Sequence, residues 1–168
     1  MSKPILRTVA VAVASVGLTA GSIAGAQAQS TSWGDSGGSG PLNIKSSKVA
    51  HGKKKVTVST KIADLQKARN QGVAFHLRTA PKKKRYAAVV SVRKKVTTVL
   101  LKSKGGSFVP VKCKALKTKL NFKRDRAKVV IPRKCVGKPG KVSARVETGK
   151  VGGKRHDMTA WSKYVKRG

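Results

Sequence analysis

Short segments in which apolar and polar residues alternate recur along the chain and constrain its fold more than any other feature. In segment 56–62, VTVSTKI, the apolar residues Val56, Val58 and Ile62 fall on one side of an extended chain. A period of two is that of a β-strand, whose successive side chains point to opposite faces. The same alternation occurs in segments 72–79, 116–123 and 141–148. We therefore expect strands that each bury one face.

Turn-forming residues separate these segments. Gly105-Gly106 and Lys138-Pro139-Gly140 are typical breaks, because glycine and proline favour turn conformations. Short strands with regular turns and no long helical pattern predict an all-β fold, an antiparallel β-sandwich of about eight to nine strands with one disulfide. The predicted strands lie at about 43–50, 54–62, 72–79, 85–93, 96–102, 108–113, 116–123, 127–132 and 141–148.

Three segments depart from simple alternation. Tyr86–Val92 and Val96–Leu101 are more continuously apolar, which predicts central strands covered on both faces. Ile62–Arg69 is the one segment that could hold a turn of helix, with Asp64 as a possible cap.

Residues 1–28 have the pattern of a secretory signal peptide. Lys3 and Arg7 form a basic start, Val9–Ala26 is an uncharged stretch, and Ala26-Gln27-Ala28 supplies a small-x-small cleavage site. The alternative is a membrane anchor, but serines, glycines and a threonine dilute the stretch, which has about the minimum length for a span. We expect cleavage before Gln29 and a secreted or cell-envelope-associated protein without a later membrane span.

Two regions follow the predicted signal peptide. Residues 29–41, QSTSWGDSGGSGP, predict a flexible Gly/Ser linker, and residues 42–168 a single β-sandwich domain. Trp33 within the linker has two interpretations, a stacking residue for a ligand or part of a mobile terminus, and the second is favoured.

Cys113 and Cys135 are the only cysteines of an exported chain, which favours a disulfide between them. In an antiparallel hairpin centred on Lys123–Arg126, opposed residues have position numbers that sum to about 249, and those of the two cysteines sum to 248. They would face one another just beyond the open end of the hairpin. A reactive or metal-binding thiol pair is the disfavoured alternative, because no CxxC spacing is present.

Residue types that carry enzyme chemistry are scarce. The five acidic residues and three histidines suggest neither a carboxylate pair nor a set of convergent metal ligands. No GxSxG or P-loop sequence occurs. We expect no enzymatic activity, no catalytic residues, no metal and no cofactor.

Positive charge dominates the composition, with 39 Lys and Arg against five Asp and Glu and a net charge of +34. Loss of the signal peptide would remove two of these cations and no acid. Charge on outer strand faces serves solubility, but this excess exceeds that need and indicates an anionic polymer as partner. The candidate polyanion-binding residues are Lys53, Lys54, Lys55, Lys82, Lys83, Lys84, Arg85, Lys117, Lys119 and Lys128.

The kind of polymer is only partly constrained. Lysine outnumbers arginine 28 to 11 and aromatic residues are few, which favours salt-sensitive contact that ignores sequence. Candidates are cell-wall phosphate polymers, acidic polysaccharide, extracellular DNA and anionic lipid headgroups. The main alternative is a secreted protein-recognition module or inhibitor that uses the loops at one end of the sandwich. A membrane-active cationic toxin is a weaker one.

The segment Val129–Val142, VVIPRKCVGKPGKV, resembles a segment of small secreted proteins of high-GC Gram-positive bacteria. The segments Asn43–Ile44 and Val49–Val58 and the ending near Trp161 are similar to theirs as well. The resemblance spans most of residues 42–165, and its distinctive part is PRKCVGKPGKV. It implies an uncharacterised β-sandwich-like domain with a single disulfide, and it implies export, but no activity and no site residues. This chain departs from the pattern in its scarcity of acids and its many lysines.

Overall fold

The structure, a computed structural model, describes residues 28–34, 41–67 and 70–168. The predicted signal peptide lies outside the described residues except for Ala28, and so do residues 35–40 of the predicted linker. No helix in the described ranges is long and apolar enough to cross a membrane. The strands are β1 Gln29–Gly34, β2 Ile44–His51, β3 Lys55–Ile62, β4 Gln71–Ala80, β5 Arg85–Val92, β6 Val96–Lys104, β7 Ser107–Pro110, β8 Lys117–Asn121, β9 Arg126–Pro132, β10 Lys141–Lys150, β11 Arg155–Met158 and β12 Val165–Lys166.

The strands form two antiparallel sheets. The first sheet has the order β1-β2-β3-β9-β8. The second has the order β11-β10-β4-β5-β6-β7, and β12 pairs with the beginning of β10. The predicted antiparallel β-sandwich is confirmed, and all nine predicted strands are present with shifts of a few residues at their ends.

Alternation along the strands builds the core. Val56, Val58 and Ile62 of β3 are fully buried, as are Phe75 and Leu77 of β4 in the other sheet. Each such side chain contributes roughly 1.5–3 kcal/mol when it leaves water. The buried side chains of both sheets form one cluster, so the opposite face of each sheet is left to solvent.

The first half of the predicted linker is a strand. Residues of β1 pair with β2 from Gln29 opposite His51 to Gly34 opposite Ser46, and Trp33 packs against the core. The favoured interpretation of Trp33 as part of a mobile terminus is therefore wrong. An edge strand is held by backbone hydrogen bonds to one neighbour, which a Ser-rich segment makes as well as an apolar one.

Two further local predictions are wrong. Strand β6 is not covered on both faces, because Val96 and Val99 are 47% and 45% exposed. An apolar run does not reveal whether anything packs over the outer face of its sheet. The segment after Ile62 is a turn rather than helix as far as Lys67, and Asp64 has the left-handed φ of 55° instead of a helix-capping conformation.

The predicted disulfide between Cys113 and Cys135 is confirmed, with a Cα–Cα distance of 5.8 Å. The hairpin beside it has a slightly different register. Lys117 faces Val130 and Asn121 faces Arg126, so opposed position numbers sum to 247. The tip contains a short 3-10 turn in which the Asn121 side chain accepts a hydrogen bond from the Arg124 N–H. Cys135 lies on a second 3-10 turn, Arg133–Val136.

Candidate anion-binding surface

A row of alternating serine and lysine crosses the solvent face of the first sheet. Strand pairing places one residue from each of the five strands side by side, with spacings of about 4.8 Å between neighbouring strands. We call this set the serine–lysine row. In order from the β1 edge to the β8 edge, its members are Ser32, Lys48, Ser59, Lys128 and Lys119.

One of the two neighbouring rows has the same character, since Ser46, Lys61 and Arg126 lie side by side. The other row is mostly uncharged, with Lys117 beside Val130. The outward positions of these five strands carry no aspartate or glutamate. We call this surface the basic face of the first sheet.

A groove of about 520 Å³ runs over the basic face. Side chains of both chemical types, hydroxyl and cationic, border it. They include Ser32, Ser59, Lys48, Lys61, Lys119 and Lys128. Mobile ammonium groups neutralise anionic oxygens, and the serine hydroxyls between them can both donate and accept hydrogen bonds. The surface is therefore suited to a polymer that bears both anionic groups and hydroxyls.

A second basic surface occupies one end of the sandwich. The turn after β2 and the first residue of β3 carry Lys53–Lys55, and the turn after β4 and the first residue of β5 carry Lys82–Arg85. The same end of the sandwich contains Arg133–Lys134 and Lys166–Arg167. We call these four segments together the basic end.

Hydrogen bonds join the segments of the basic end. Arg133 donates its backbone N–H to the Lys54 carbonyl at 3.0 Å and its Nη1 to the Lys53 carbonyl at 2.9 Å. Gly140 N–H donates to Ala80, which precedes the second lysine turn, and Arg167 N–H donates to Gly140. Lysine clusters far apart in the sequence are thus neighbours in the fold.

Asp157 and Glu147 are engaged elsewhere, whereas Asp64 and Asp125 lie in turns next to the first sheet, after β3 and at the tip of the β8–β9 hairpin. Asp157 accepts hydrogen bonds from the backbone N–H groups of Ile44 at 2.8 Å and Met158 at 2.7 Å, near the opposite end of the sandwich. Glu147 lies 3.1 Å from His76 Nε2, and no Lys or Arg side chain lies within 4.0 Å of a carboxylate in the described part of the chain. The lysines and arginines described here therefore lack carboxylate partners.

The ten candidate residues predicted from the sequence fall into two groups. Lys117, Lys119 and Lys128 share the basic face, as the predicted hairpin implied. The other seven, Lys53, Lys54, Lys55, Lys82, Lys83, Lys84 and Arg85, belong to the basic end. Lys55 connects the groups, since it is also an outward residue of β3.

Sequence reasoning did not include Lys48, Lys61 or Arg126 among the candidates. Each occupies an outward position of an alternating strand, where Lys48 and Lys61 lie beside serines of the same face and Arg126 lies beside Lys61. The alternation of polar and apolar residues indicates that these side chains point outward. Choosing among the outward lysines requires the strand order, in which β2 and β9 lie on either side of β3.

The solvent face of the second sheet is different. The Arg78 and Arg145 guanidinium carbons lie 3.9 and 4.9 Å from the centre of the Trp161 ring. Burial and the neighbouring Arg145 charge lower the pKa of His76, and Glu147 opposes that shift. This face thus combines cations, an aromatic ring and a contact between a histidine and a carboxylate.

His51 is a buried group with little solvent contact. Its Nδ1 lies 3.3 Å from the Val165 carbonyl oxygen, and burial lowers its pKa. Among the described residues no three His, Cys, Asp or Glu side chains come together as metal ligands would. The absence of a metal, a cofactor and an activity stays a prediction.

A comparison of the chain with models of known protein families gives no match. A comparison with curated protein sequences likewise gives none.

Proposed function

We propose that this protein is a secreted, non-enzymatic binder of anionic polymers of the cell envelope or its surroundings. Cell-wall phosphate polymers, acidic polysaccharides and extracellular DNA share the required chemistry. The observation that carries the proposal is the serine–lysine row, in which three lysines cross the sheet, two of them directly opposite each other, without a carboxylate among them.

Electrostatic cost supports this role. Like charges directly opposite one another in a sheet are destabilising, and so is a large net charge on a compact chain. Solubility alone needs a net charge of about 2 to 8 in a small domain, far below the +34 of this chain. A bound polyanion would offset the repulsion, because each cation then meets an anionic oxygen.

The mode of binding follows from the residue types. Lysines dominate the basic face and no aromatic side chain points outward from its five strands, so base stacking has no platform there. Binding of this kind releases counterions and weakens steeply as salt rises. We expect little preference among polymers of equal charge density.

The test is retention on heparin resin and binding to a short DNA duplex over a series of salt concentrations. We expect tight binding in dilute buffer and a linear fall of log K with log salt, with a slope of about 0.9 for each phosphate contact. Replacing Lys48, Lys119 and Lys128 by glutamine should reduce the slope and the salt needed for elution.

A variant with the same loss of charge controls for net charge. Lys94, Lys95 and Lys154 are exposed and lie in turns at the other end of the sandwich. Their replacement by glutamine should change elution much less. Equal effects of the two triple variants would show that net charge, and not the basic face, governs binding, and retention that does not depend on salt would refute the proposal. A protein partner bound through the sandwich-end loops would instead be retained at high salt.

A further inference from the structure

Two arginines stack on one tryptophan on the solvent face of the second sheet, and a third arginine lies opposite one of them. Arg78 of β4 and Arg145 of β10 stack on Trp161 at 3.9 and 4.9 Å from the ring centre. Arg85 of β5 lies directly opposite Arg78 in the sheet. Lysine is the common cation of this chain, so a cluster of arginines is a local departure from its composition.

The strand pairing holds this cluster in place. The segment that contains Trp161 runs along β10, where Ser162 N–H donates to the Ala144 carbonyl at 2.7 Å. Arg145 lies on β10 at the register position opposite His76, two register pairs from Arg78, and therefore on the same face of the sheet. The ring and the two guanidinium groups are therefore fixed by backbone contacts on three chain segments.

The guanidinium groups are oriented by stacking and make no ion pair, although the Glu147 charge attracts Arg145 from the same face of β10. The Nε atoms of Arg78 and Arg145 are buried without a hydrogen-bond partner. Neither group makes an ion pair within the described residues, and the nearby Glu147 is engaged with His76. Burial of an unpartnered donor is costly, and the attraction between the cations and the ring offsets part of that cost. The terminal nitrogens of each of these two guanidinium groups then form a pre-oriented pair of donors for an oxyanion.

An apolar strip continues from the arginines on the same face. Ala87 of β5 lies beside His76 and is itself buried. Leu101 of β6, which is partly exposed, lies beside Ala87 and begins the accessible part of the strip. Val89 and Val99 form the next pair along, and Val99 is 45% exposed. The distance from β10 to β6 is three strand spacings, or about 14 Å.

We propose that this face docks a polypeptide segment that carries a carboxylate next to one or two apolar side chains. Arg78 and Arg145 receive the carboxylate, because their forks match its two oxygens. The apolar strip receives the side chains. A shallow sheet face suits a peptide, whose backbone can stay in water, better than an alkyl chain, which needs an enclosing cavity. The site is on the opposite sheet from the basic face and does not depend on the proposed function.

The test uses the tryptophan as a reporter in the whole secreted chain. The chain has two tryptophans, so its indole N–H region should show two NMR signals, and Trp33→Phe assigns them. N-acetyl-Leu-Leu with a free carboxylate is titrated at about 0.5 M NaCl, where the Debye length is only a few ångströms and diffuse attraction is screened. We expect a saturable shift of the Trp161 signal, and at least tenfold weaker binding of the same peptide as its amide.

Conservative variants separate recognition from folding. Arg78→Lys and Arg145→Lys keep the charge but remove the fork, and each should weaken peptide binding at least fivefold while leaving the circular dichroism spectrum and heparin elution unchanged. Arg93→Lys, in the turn after β5, is the matched control and should have no effect. No saturable shift in the wild-type chain, equal binding of acid and amide, or tighter binding of octanoate than of the peptide would each overturn the proposal.

Discussion

Lys119 and Lys128 lie directly opposite each other on β8 and β9, with both side chains exposed on the same face of the first sheet. Opposed like charges destabilise a sheet, so this pair opposes folding, although it is favourable for the anion binding that we propose. We predict that Lys119→Glu raises the free energy of unfolding by about 0.2–1 kcal/mol, because it replaces a repulsive pair by an attractive one. Urea denaturation checks the gain.

The same substitution should lower the salt concentration needed for elution from heparin. Lys94→Glu is the control, with the same change of charge in the turn between β5 and β6. It should change elution less and should leave the stability within about 0.5 kcal/mol of the wild type. A loss of stability in Lys119→Glu would contradict the prediction.

Removal of the disulfide should destabilise the sandwich by about 3 kcal/mol. The bond closes a loop with a sequence separation of 22, and the unfolded chain gains conformational freedom when that constraint is lost. Unfolding of the Cys113→Ser/Cys135→Ser variant, compared with the oxidised protein, measures this difference. A change below about 1 kcal/mol would show that the unfolded chain is little constrained by the bond.

Acid should destabilise the protein in part through His51. Burial holds its pKa below the ordinary value of about 6.5, with further lowering by the charges of Arg133 and Arg167. The unfolded chain therefore binds this proton at higher pH than the folded chain does. The contribution of neutral His51 to stability is complete above about pH 6.5 and is lost as the pH falls through the folded pKa.

The measurement is the free energy of unfolding from pH 7.5 down to pH 5, in the wild type and in His51→Gln. The variant should show a smaller loss over this range, whatever its stability at neutral pH. His76, whose pKa is also lowered, retains its own share of the pH dependence in both proteins. An unchanged pH dependence in the variant would rule out His51 as a source.

Gly149→Ala should destabilise the protein by about 1–3 kcal/mol. A Cβ at this position would lie 2.8 Å from the Lys154 carbonyl oxygen and 3.0 Å from the Arg155 Cα, both of them backbone atoms. Gly72 is its partner across the sheet, but a Cβ there would meet its nearest atoms at 3.6 Å. Gly72→Ala is therefore the control, and thermal unfolding that ranks the two variants equally would contradict the prediction.

Strand prediction succeeded where side chains decide the structure and failed where the backbone does. The alternation of Val56, Val58 and Ile62 located β3 because burial of one face imposes that pattern. Strand β1 has no such pattern, since its pairing with β2 rests on backbone groups. The exposure of Val99 depends on what lies over the second sheet, which is a property of the whole fold.

The candidate site was predictable only in part for a related reason. Local sequence located the lysine turns and the hairpin face of Lys119 and Lys128. It did not bring Arg133 to the turn of Lys53, or Trp161 to Arg78, because those contacts join segments about 80 residues apart. Contacts between residues that are far apart in the sequence leave no periodic pattern in the local sequence.

The serine–lysine row has a consequence for the motion of the sheet edge. Ser32 at one end of the row belongs to β1, whereas Lys119 at the other end belongs to β8. A polymer lying along the row would cross all five strands, a span of about 19 Å, and would link the edge strand to the interior of the sheet. Amide hydrogens of β1 would then exchange more slowly with solvent when the polymer is bound, although the polymer contacts only side chains.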